Sequence, residues 1–428
     1  MTWPRKDQYY TLPFEKGSLK LTIGILNQHS DFRFSERPYL VIRKRTISFE
    51  NEILVLGIRL GEEKEELVYI RVLEAKLRIS CSVDTDHTYL SRYAYFALYK
   101  FLSLGGSFNF DKYYWPDFFN PKTGKSKYLN IIIDRAGTDI KRKSTYGCFF
   151  KPGQELIYPF KSTNTIAPPS PKIQPEHINE LNTYAIGYCF ADTGMRANCN
   201  HFPLIVPYSG IWTQRKDGIK GFQKFIKNDT DIMSFDYTPL QQKINSLCRE
   251  MDTVAPIPLL EYKSSEQERK VHRRETFNKM KLSYGLWQKA IPLLQGQPFT
   301  HFLFTYGYRN IKKKPRKQNM HSCTFSSKIP KLCFLMRNKG EYYELEMRFK
   351  AGTKTYTPHE FNPTFFIHAK SEPYRFYLLD SITDYQVTSF FAKSDFKLLV
   401  LKCHYHSHFK AFTDQLAKFY ELKTKGIE

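Results

Sequence analysis

The chain has 428 residues, of which 41% are hydrophobic and 16% aromatic. This composition excludes a disordered protein, since disordered chains are poor in aromatic residues, and the length suggests two or three domains at about 150 residues each. Lys and Arg number 65 against 42 Asp and Glu, and the resulting charge of +23 favours polyanionic partners. No apolar stretch approaches the ~18 residues that span a bilayer, and no apolar signal core follows the N-terminus, so we expect a cytoplasmic protein without a membrane partner.

The eight cysteines show neither a CxxC pair nor a regular spacing. Because the cytosol keeps thiols reduced, we expect no disulfides. Their positions are 81, 148, 189, 199, 248, 323, 333 and 403.

The first 160 residues predict a β-rich domain, because apolar residues recur at every second position. An acidic turn at residues 61–66 predicts a hairpin between the first two of these strands, and residues 89–102 change to helical spacing until Gly105. The simplest interpretation is a ββα unit. The alternating residues are Leu54, Leu56, Ile58 and Leu60, then Val68, Ile70 and Val72, then Leu77, Ile79, Cys81 and Val83.

Four prolines within residues 167–175 indicate a linker, and we place a domain boundary there. Helical spacing predicts a short helix over 239–251 and a long basic helix over 265–294, capped by Ser264 or Ser265. Strands are predicted over 302–308, 331–336, 342–349, 364–368 and 375–379, and a last helix over 409–419. The predicted class is α+β, with a β-rich domain at 1–165, a middle α+β domain at 166–262, and a third domain at 263–428 that combines the basic helix with antiparallel strands.

Most of the positive charge lies in one region. Residues 263–339 hold 18 basic and 3 acidic residues, a net +15, and no carboxylate occurs from 276 to 340. Cations beside aromatic rings are typical of nucleic-acid surfaces, so we predict phosphate contacts here. A solvated basic loop between two strands is the alternative interpretation. The cations are Lys312, Lys313, Lys314, Arg316 and Lys317, and the upstream aromatic residues are Phe302, Phe304, Tyr306 and Tyr308.

The long helix offers a second set of cations. At 3.6 residues per turn, four of them share one side and could follow a phosphate backbone; a merely solvated face is the alternative. These four are Lys270, Arg273, Arg274 and Lys281. The opposite side, expected to face the core, carries Phe277, Met280, Tyr284, Trp287 and Ile291.

Other motifs argue against an enzyme. Residues 123–126 (TGKS) end like a phosphate-binding loop, but Phe119 stands where that loop requires glycine. No other segment supplies such a loop, and no hydrolase motif is visible, so we predict no ATPase core and no catalytic residues.

A histidine cluster occupies residues 403–408 (CHYHSH). In an extended segment, His404, His406 and His408 would point one way and could supply three nitrogens to zinc. Because no carboxylate or thiol completes the set on the same face, we predict neither a metal site nor a cofactor.

Several segments, in order, resemble the region before the ATPase motor in bacterial SNF2-family helicase-like proteins. Residues 77–83 (LRISCSV), with Leu90 and residues 97–99, are similar to that family's SWIM zinc finger. Further similar segments lie at 284–295, 314–320, 376–384, 400–402 and 409–416. The resemblance implies an accessory role beside an SNF2-type ATPase.

The chain departs from the SWIM pattern of C-x-C followed by C-x-H. Cys81 is present, but Val83, Ser91 and Tyr93 stand at the other three ligand positions. One ligand cannot hold zinc tetrahedrally, so we interpret Cys81 as a core residue of a metal-free remnant. The motor itself is also missing from this chain.

Two functions remain open at this point. The first is a non-catalytic accessory protein that binds nucleic acid, DNA rather than RNA, through residues 263–339. The second is a protein-interaction module that docks on a separately encoded SNF2-type motor or on another partner with an acidic face.

Overall fold

The structure is a computed structural model of the chain, and it divides into two compact units. The first comprises Met1–Leu156, Lys339–Tyr343 and Leu398–Ala411, and the second Ile157–Asn338, Glu344–Lys397 and Phe412–Glu428. The predicted linker at 167–175 lies outside the described residues, so the boundary there stays a prediction. The structure describes residues 8–33, 39–83, 85, 87–134, 137–157, 184–192, 201–227, 235–257, 265–304, 311, 314–360, 362–372 and 374–426.

Strands and helices alternate irregularly along the described chain, which confirms the predicted α+β class. The strands are β1 (Tyr10–Pro13), β2 (Lys20–Thr22), β3 (Ile42–Glu50), β4 (Ile53–Leu60), β5 (Glu66–Val72), β6 (Lys76–Cys81), β7 (Ser107–Asn109), β8 (Leu129–Asp134), β9 (Gly137–Arg142), β10 (Cys148–Phe149), β11 (Ala185–Asp192), β12 (Leu204–Trp212), β13 (Ile219–Phe225), β14 (Thr300–Phe304), β15 (Met320–Ser322), β16 (Thr324–Phe325), β17 (Lys331–Asn338), β18 (Tyr342–Ala351), β19 (Lys354–Tyr356), β20 (Phe366–His368), β21 (Arg375–Leu378), β22 (Lys397–Leu401) and β23 (Glu421–Lys425). The helices are α1 (Ile23–Gln28), α2 (Arg92–Leu102), α3 (Pro239–Val254), α4 (Glu266–Leu294), α5 (Ile382–Ala392), α6 (Lys402–His404) and α7 (Lys410–Phe419).

The core of the first unit lies between α2 and an antiparallel sheet of order β1-β6-β5-β4-β3. Ile70 on β5 pairs with Leu54 on one side and with Ile79 on the other, so the alternating apolar residues face one core, as predicted. Helix α2 starts after Ser91, whose hydroxyl accepts a hydrogen bond from the Ala94 N–H. The predicted order of two strands and a helix is present.

The second unit is built on a sheet of order β13-β12-β11-β14-β15, in which β11 and β14 are parallel and the other pairs antiparallel. The two predicted helices, which lie between β13 and β14 in sequence, are both confirmed. Thr238 begins α3 and Ser265 begins α4, each with a capping box that satisfies backbone donors at the helix start. Helix α4 ends at Leu294, as predicted.

Strands β11 to β13 were not predicted, although they supply three of the five strands of this sheet. Every residue of β11 is buried, so both of its faces are covered and its apolar residues do not alternate with polar ones. A buried strand of this kind lacks the pattern by which a half-buried strand is found.

The later strands follow the sequence closely. Predicted strands at 331–336, 342–349 and 375–379 correspond to β17, β18 and β21. Antiparallel β18–β19 and parallel β17–β23 pairings extend this part of the second unit. Helix α5 was not predicted; its N-cap is Ser381, whose hydroxyl accepts from the Asp384 N–H.

Candidate nucleic-acid interface

The five-cation cluster lies in the connection between β14 and β15. These strands pair antiparallel, with Phe302 opposite His321, and β15 is the outermost strand of its sheet. Within the connection, Ile311 and Pro315 are buried, Ile311 in the core of the second unit. Two buried anchors therefore hold the described part of this basic segment against the protein.

Three cations of the cluster project into solvent. Lys314, Arg316 and Lys317 are exposed, and in the described part of the chain none of them pairs with a carboxylate. The Asn319 N–H donates to the Arg316 carbonyl at 2.9 Å, which closes a single 3₁₀ turn. Together with Gln318, the segment lines a surface depression of 810 Å³. Lys312 and Lys313 lie outside the described residues.

The second set of predicted cations lies on α4. Lys270, Arg273, Arg274 and Lys281 are all exposed. The Lys270 ammonium lies 3.1 Å from a Glu266 carboxylate oxygen, one turn away in full solvent, where such pairs are weak. Arg273 and Arg274 pair with no described carboxylate, so both guanidinium groups are available to a phosphate.

The basic and apolar sides of α4 are not opposite each other, which corrects the prediction. Burial begins only at Met280, and Phe277 is half-buried. The Lys281 ammonium lies over the Phe277 ring, 4.7 Å from its centroid, because residues four apart are neighbours on a helix. Residues 266–279 include no buried side chain, so Lys270, Arg273 and Arg274 face solvent, as do Glu266, Glu268 and Glu275 on the same half of the helix.

The predicted aromatic platforms are wrong for Phe302. This side chain is 4% exposed, and its ring centroid lies 5.3 Å from that of Phe190 and 5.1 Å from that of Phe376. A ring enclosed by other rings cannot stack on a base. Phe304 is half-buried against the same core, and Tyr306 and Tyr308 lie outside the described residues.

Part of the charge of residues 263–339 is neutralised locally. The Arg337 guanidinium lies 2.9 Å from Glu344 and 2.7 Å from the buried Glu346, both on β18. The Lys279 ammonium keeps its charge but is directed towards the protein, since it donates to the Pro256 carbonyl at 2.7 Å. The net +15 therefore overstates the charge that a polyanion would meet, and the β14–β15 connection and the first half of α4 hold the available part.

Comparison of this chain with protein-family models, curated proteins and solved structures finds no match. The resemblance to the SNF2 family therefore stays a prediction. Among the described residues, no helix is both long and apolar enough to cross a bilayer.

The segment that ends like a phosphate-binding loop closes on itself. The Gly124 N–H donates to the Asn120 carbonyl at 2.8 Å, and the Asn120 side chain accepts from the N–H groups of Lys122 and Thr123. The next element is strand β8 rather than a helix. These backbone donors are thus satisfied within the turn and do not form a cradle for phosphates.

The positions predicted to correspond to SWIM ligands have structural partners. Cys81 is 2% exposed in the core with Leu77 and Ile79, as predicted, and burial raises the pKa of its thiol. Ser91 caps α2, and the Tyr93 hydroxyl donates to Glu63 at 2.6 Å.

The histidine cluster is helical, which corrects the geometry considered for zinc. Helix α6 leads into a single π-helical turn, Tyr405–Phe409. His404 is buried, whereas His406 and His408 are exposed, so the three rings do not share one face. Strand alternation does not apply to this segment.

Proposed function

We propose that this chain is a non-catalytic nucleic-acid-binding accessory protein, with DNA preferred over RNA. Its contacts come from the β14–β15 connection and the first half of α4. In this proposal it is a bacterial, cytoplasmic protein that acts beside an SNF2-type ATPase. The observation that carries the proposal is the trio Lys314, Arg316 and Lys317, exposed and without carboxylate partners in the described chain, on a segment anchored by buried Ile311.

Anchoring supports binding because a backbone segment that is already held in place loses less conformational freedom when a ligand arrives. The sequence adds a second support. No carboxylate occurs from residue 276 to residue 340, so no acid near the β14–β15 connection in the sequence repels phosphates, whereas the first half of α4 also carries Glu266, Glu268 and Glu275. Contacts of this kind bind the backbone of a nucleic acid and confer affinity without base specificity.

A salt titration tests the proposal on the full chain. Fluorescence anisotropy would compare a labelled DNA duplex with a single-stranded RNA over about 0.05–0.2 M salt. Replacing Arg273 and Arg274 by Gln should lower the slope of log affinity against log salt by ~0.9 for each duplex phosphate that is no longer neutralised. The matched control replaces two exposed arginines elsewhere, Arg142 and Arg215, and should keep the parent slope. Binding with no salt dependence would contradict the proposal.

The protein-interaction module has one observation in its favour. Val271 and Leu282 on α4 are 48% and 61% exposed, and their spacing of three turns places them on one side of the helix. Exposed apolar residues beside cations suit a protein partner with an acidic rim. If the side of α4 that carries Val271 and Leu282 binds a protein partner, Leu282→Glu should keep the affinity for nucleic acid within about threefold of the parent value. Loss of DNA binding in this variant would place Leu282 in the nucleic-acid interface.

A further inference from the structure

Asp117, Cys403 and His404 meet in the first unit, although Asp117 and His404 are 287 positions apart in sequence. One ligand-type atom from each residue lies within 4.8 Å of the other two. The closest approach is 2.9 Å, between His404 Nε2 and Asp117 Oδ2. A carboxylate, a thiol and an imidazole thus converge at one point.

Local structure holds the members of this cluster. The backbone of Asp117 has a left-handed φ of 63°, and its N–H donates to a Glu52 carboxylate oxygen at 2.6 Å. Glu52 in turn pairs with Arg71 at 2.6 Å. Cys403 and His404 are consecutive residues of α6, immediately before the π-helical turn, a feature frequent at functional sites.

The His404 ring has an incomplete set of partners. It is 3% exposed, with Nε2 bonded to Asp117, while Nδ1 is buried and has no hydrogen-bond partner among the described residues. Buried polar atoms are nearly always satisfied, so a water molecule is the expected partner of Nδ1. The two ring nitrogens point in different directions, so Nε2 is the nitrogen that would bind a metal ion together with Asp117.

We propose that Asp117, Cys403 and His404 bind a zinc-class divalent metal ion. Thiolate and imidazole ligands suit zinc, whereas calcium and magnesium prefer oxygen. At metal–ligand distances of about 2.0–2.3 Å, ligand atoms lie about 3–4 Å apart. The 2.9 Å pair nearly meets this spacing, and a movement of about 1 Å by the exposed Asp117 and Cys403 side chains closes the remaining gap.

The fourth ligand position has access to water. Asp117 and Cys403 line a cavity of 560 Å³ together with Lys125 and Lys402. Three protein ligands with an open fourth position are the pattern of zinc sites that bind water or a substrate. A metal ion at this site would make the expectation of no metal wrong. The sequence did not reveal the site, because Asp117 lies 287 positions from His404 and strand alternation groups His404 with His406 and His408 instead.

Cobalt titration of the reduced, metal-free full chain tests the site, because thiolate–Co²⁺ charge transfer reports cysteine ligation directly. We expect one Co²⁺ per chain with this absorption, and displacement of it by Zn²⁺. Cys403→Ser should remove the absorption and lower Zn²⁺ affinity by about 100-fold or more, beyond the 10–100-fold typical of indirect partners. Asp117→Asn, which tolerates the left-handed backbone, should weaken Zn²⁺ binding by about 10-fold or more. Both side chains are exposed, so folding should survive.

A His406→Gln and His408→Gln double variant is the matched control, since both rings are exposed in the adjoining turn. It should bind Co²⁺ and Zn²⁺ like the parent. The proposal is overturned if the parent binds no metal at one per chain, if the charge-transfer absorption survives Cys403→Ser, or if the double variant loses as much affinity as Cys403→Ser.

Discussion

The indole N–H of Trp287 donates a hydrogen bond to the carbonyl oxygen of Pro203 at 3.0 Å. Pro203 immediately precedes β12, so the bond joins the second half of α4 to the central sheet of the second unit. The fully buried Trp287 ring also contacts Phe190 and Phe366, with centroid distances of 4.9 and 4.8 Å. These contacts fix the helix that carries the basic residues 269–281.

Trp287→Phe should destabilise the second unit by about 2–4 kcal/mol, because it opens a cavity and leaves the Pro203 carbonyl unsatisfied. Urea unfolding followed by circular dichroism measures the change. Trp212→Phe, at a half-buried position, is the control and should cost less than about 1 kcal/mol. Equal effects of the two substitutions would contradict the anchoring role of Trp287.

Asp384 should make stability depend on pH. Burial raises the pKa of its carboxyl to about 6, although the Tyr420 hydroxyl donates to it at 2.8 Å. Because the folded-state pKa lies above the unfolded value of about 3.9, the contribution to stability is fully present below about pH 4 and is lost as the pH rises through 6. The difference of about two units corresponds to roughly 3 kcal/mol.

Asp384→Asn removes this titration and keeps an acceptor for Tyr420. Its free energy of unfolding should fall less than that of the parent between pH 4 and pH 7, and it should exceed the parent value at pH 7. Denaturant unfolding at several pH values tests this, with the exposed Asp395→Asn as a control that keeps the parent profile. An unchanged pH profile in Asp384→Asn would refute the assignment.

Cys81 should matter for stability and not for metal content. Cys81→Ser places a hydroxyl in an apolar core and should cost about 1–3 kcal/mol. Elemental analysis of the purified variant should show the same zinc content as the parent, because Val83, Ser91 and Tyr93 offer no zinc site around Cys81. A loss of one zinc per chain on this substitution would show that the SWIM-like positions bind metal after all.

The sequence predicts those elements whose signals are local. Alternation along β4, β5 and β6 identifies one face of the first sheet, and helical spacing identifies α3 and α4, with Ser265 as the cap of α4. Both signals depend on neighbours within a few residues, so tertiary contacts are not needed to interpret them.

Features that depend on contacts between distant parts of the chain could not be predicted from the sequence. Strand β11 is buried on both faces and lacks alternation, and the orientation of Phe277 depends on where α4 leaves the core. The meeting of Asp117 with His404 depends on chain folding over 287 positions. The sequence shows that residues 263–339 carry a positive net charge. Only the structure shows that Arg337 in this region is neutralised by Glu344 and Glu346.

The most direct test of nucleic-acid binding reverses the charge of the cluster in the β14–β15 connection. The variant replaces Lys312, Lys313, Lys314, Arg316 and Lys317 by Glu, a local change of ten charge units. Because Lys314, Arg316 and Lys317 are exposed, the variant should have the same circular dichroism spectrum and thermal unfolding midpoint as the parent. A charge-matched control replaces five exposed lysines elsewhere: Lys64, Lys76, Lys122, Lys354 and Lys393.

The deciding measurement is the affinity of the parent and both variants for duplex DNA and for RNA at about 0.15 M salt, with the salt slope for each. We expect the cluster variant to lose binding, with a residual slope lower by ~0.9 for every phosphate that the cluster no longer neutralises. The control should stay much closer to the parent. A folded cluster variant that binds DNA and RNA as well as the parent would contradict nucleic-acid binding by this cluster and would leave protein interaction as the proposed function of this surface.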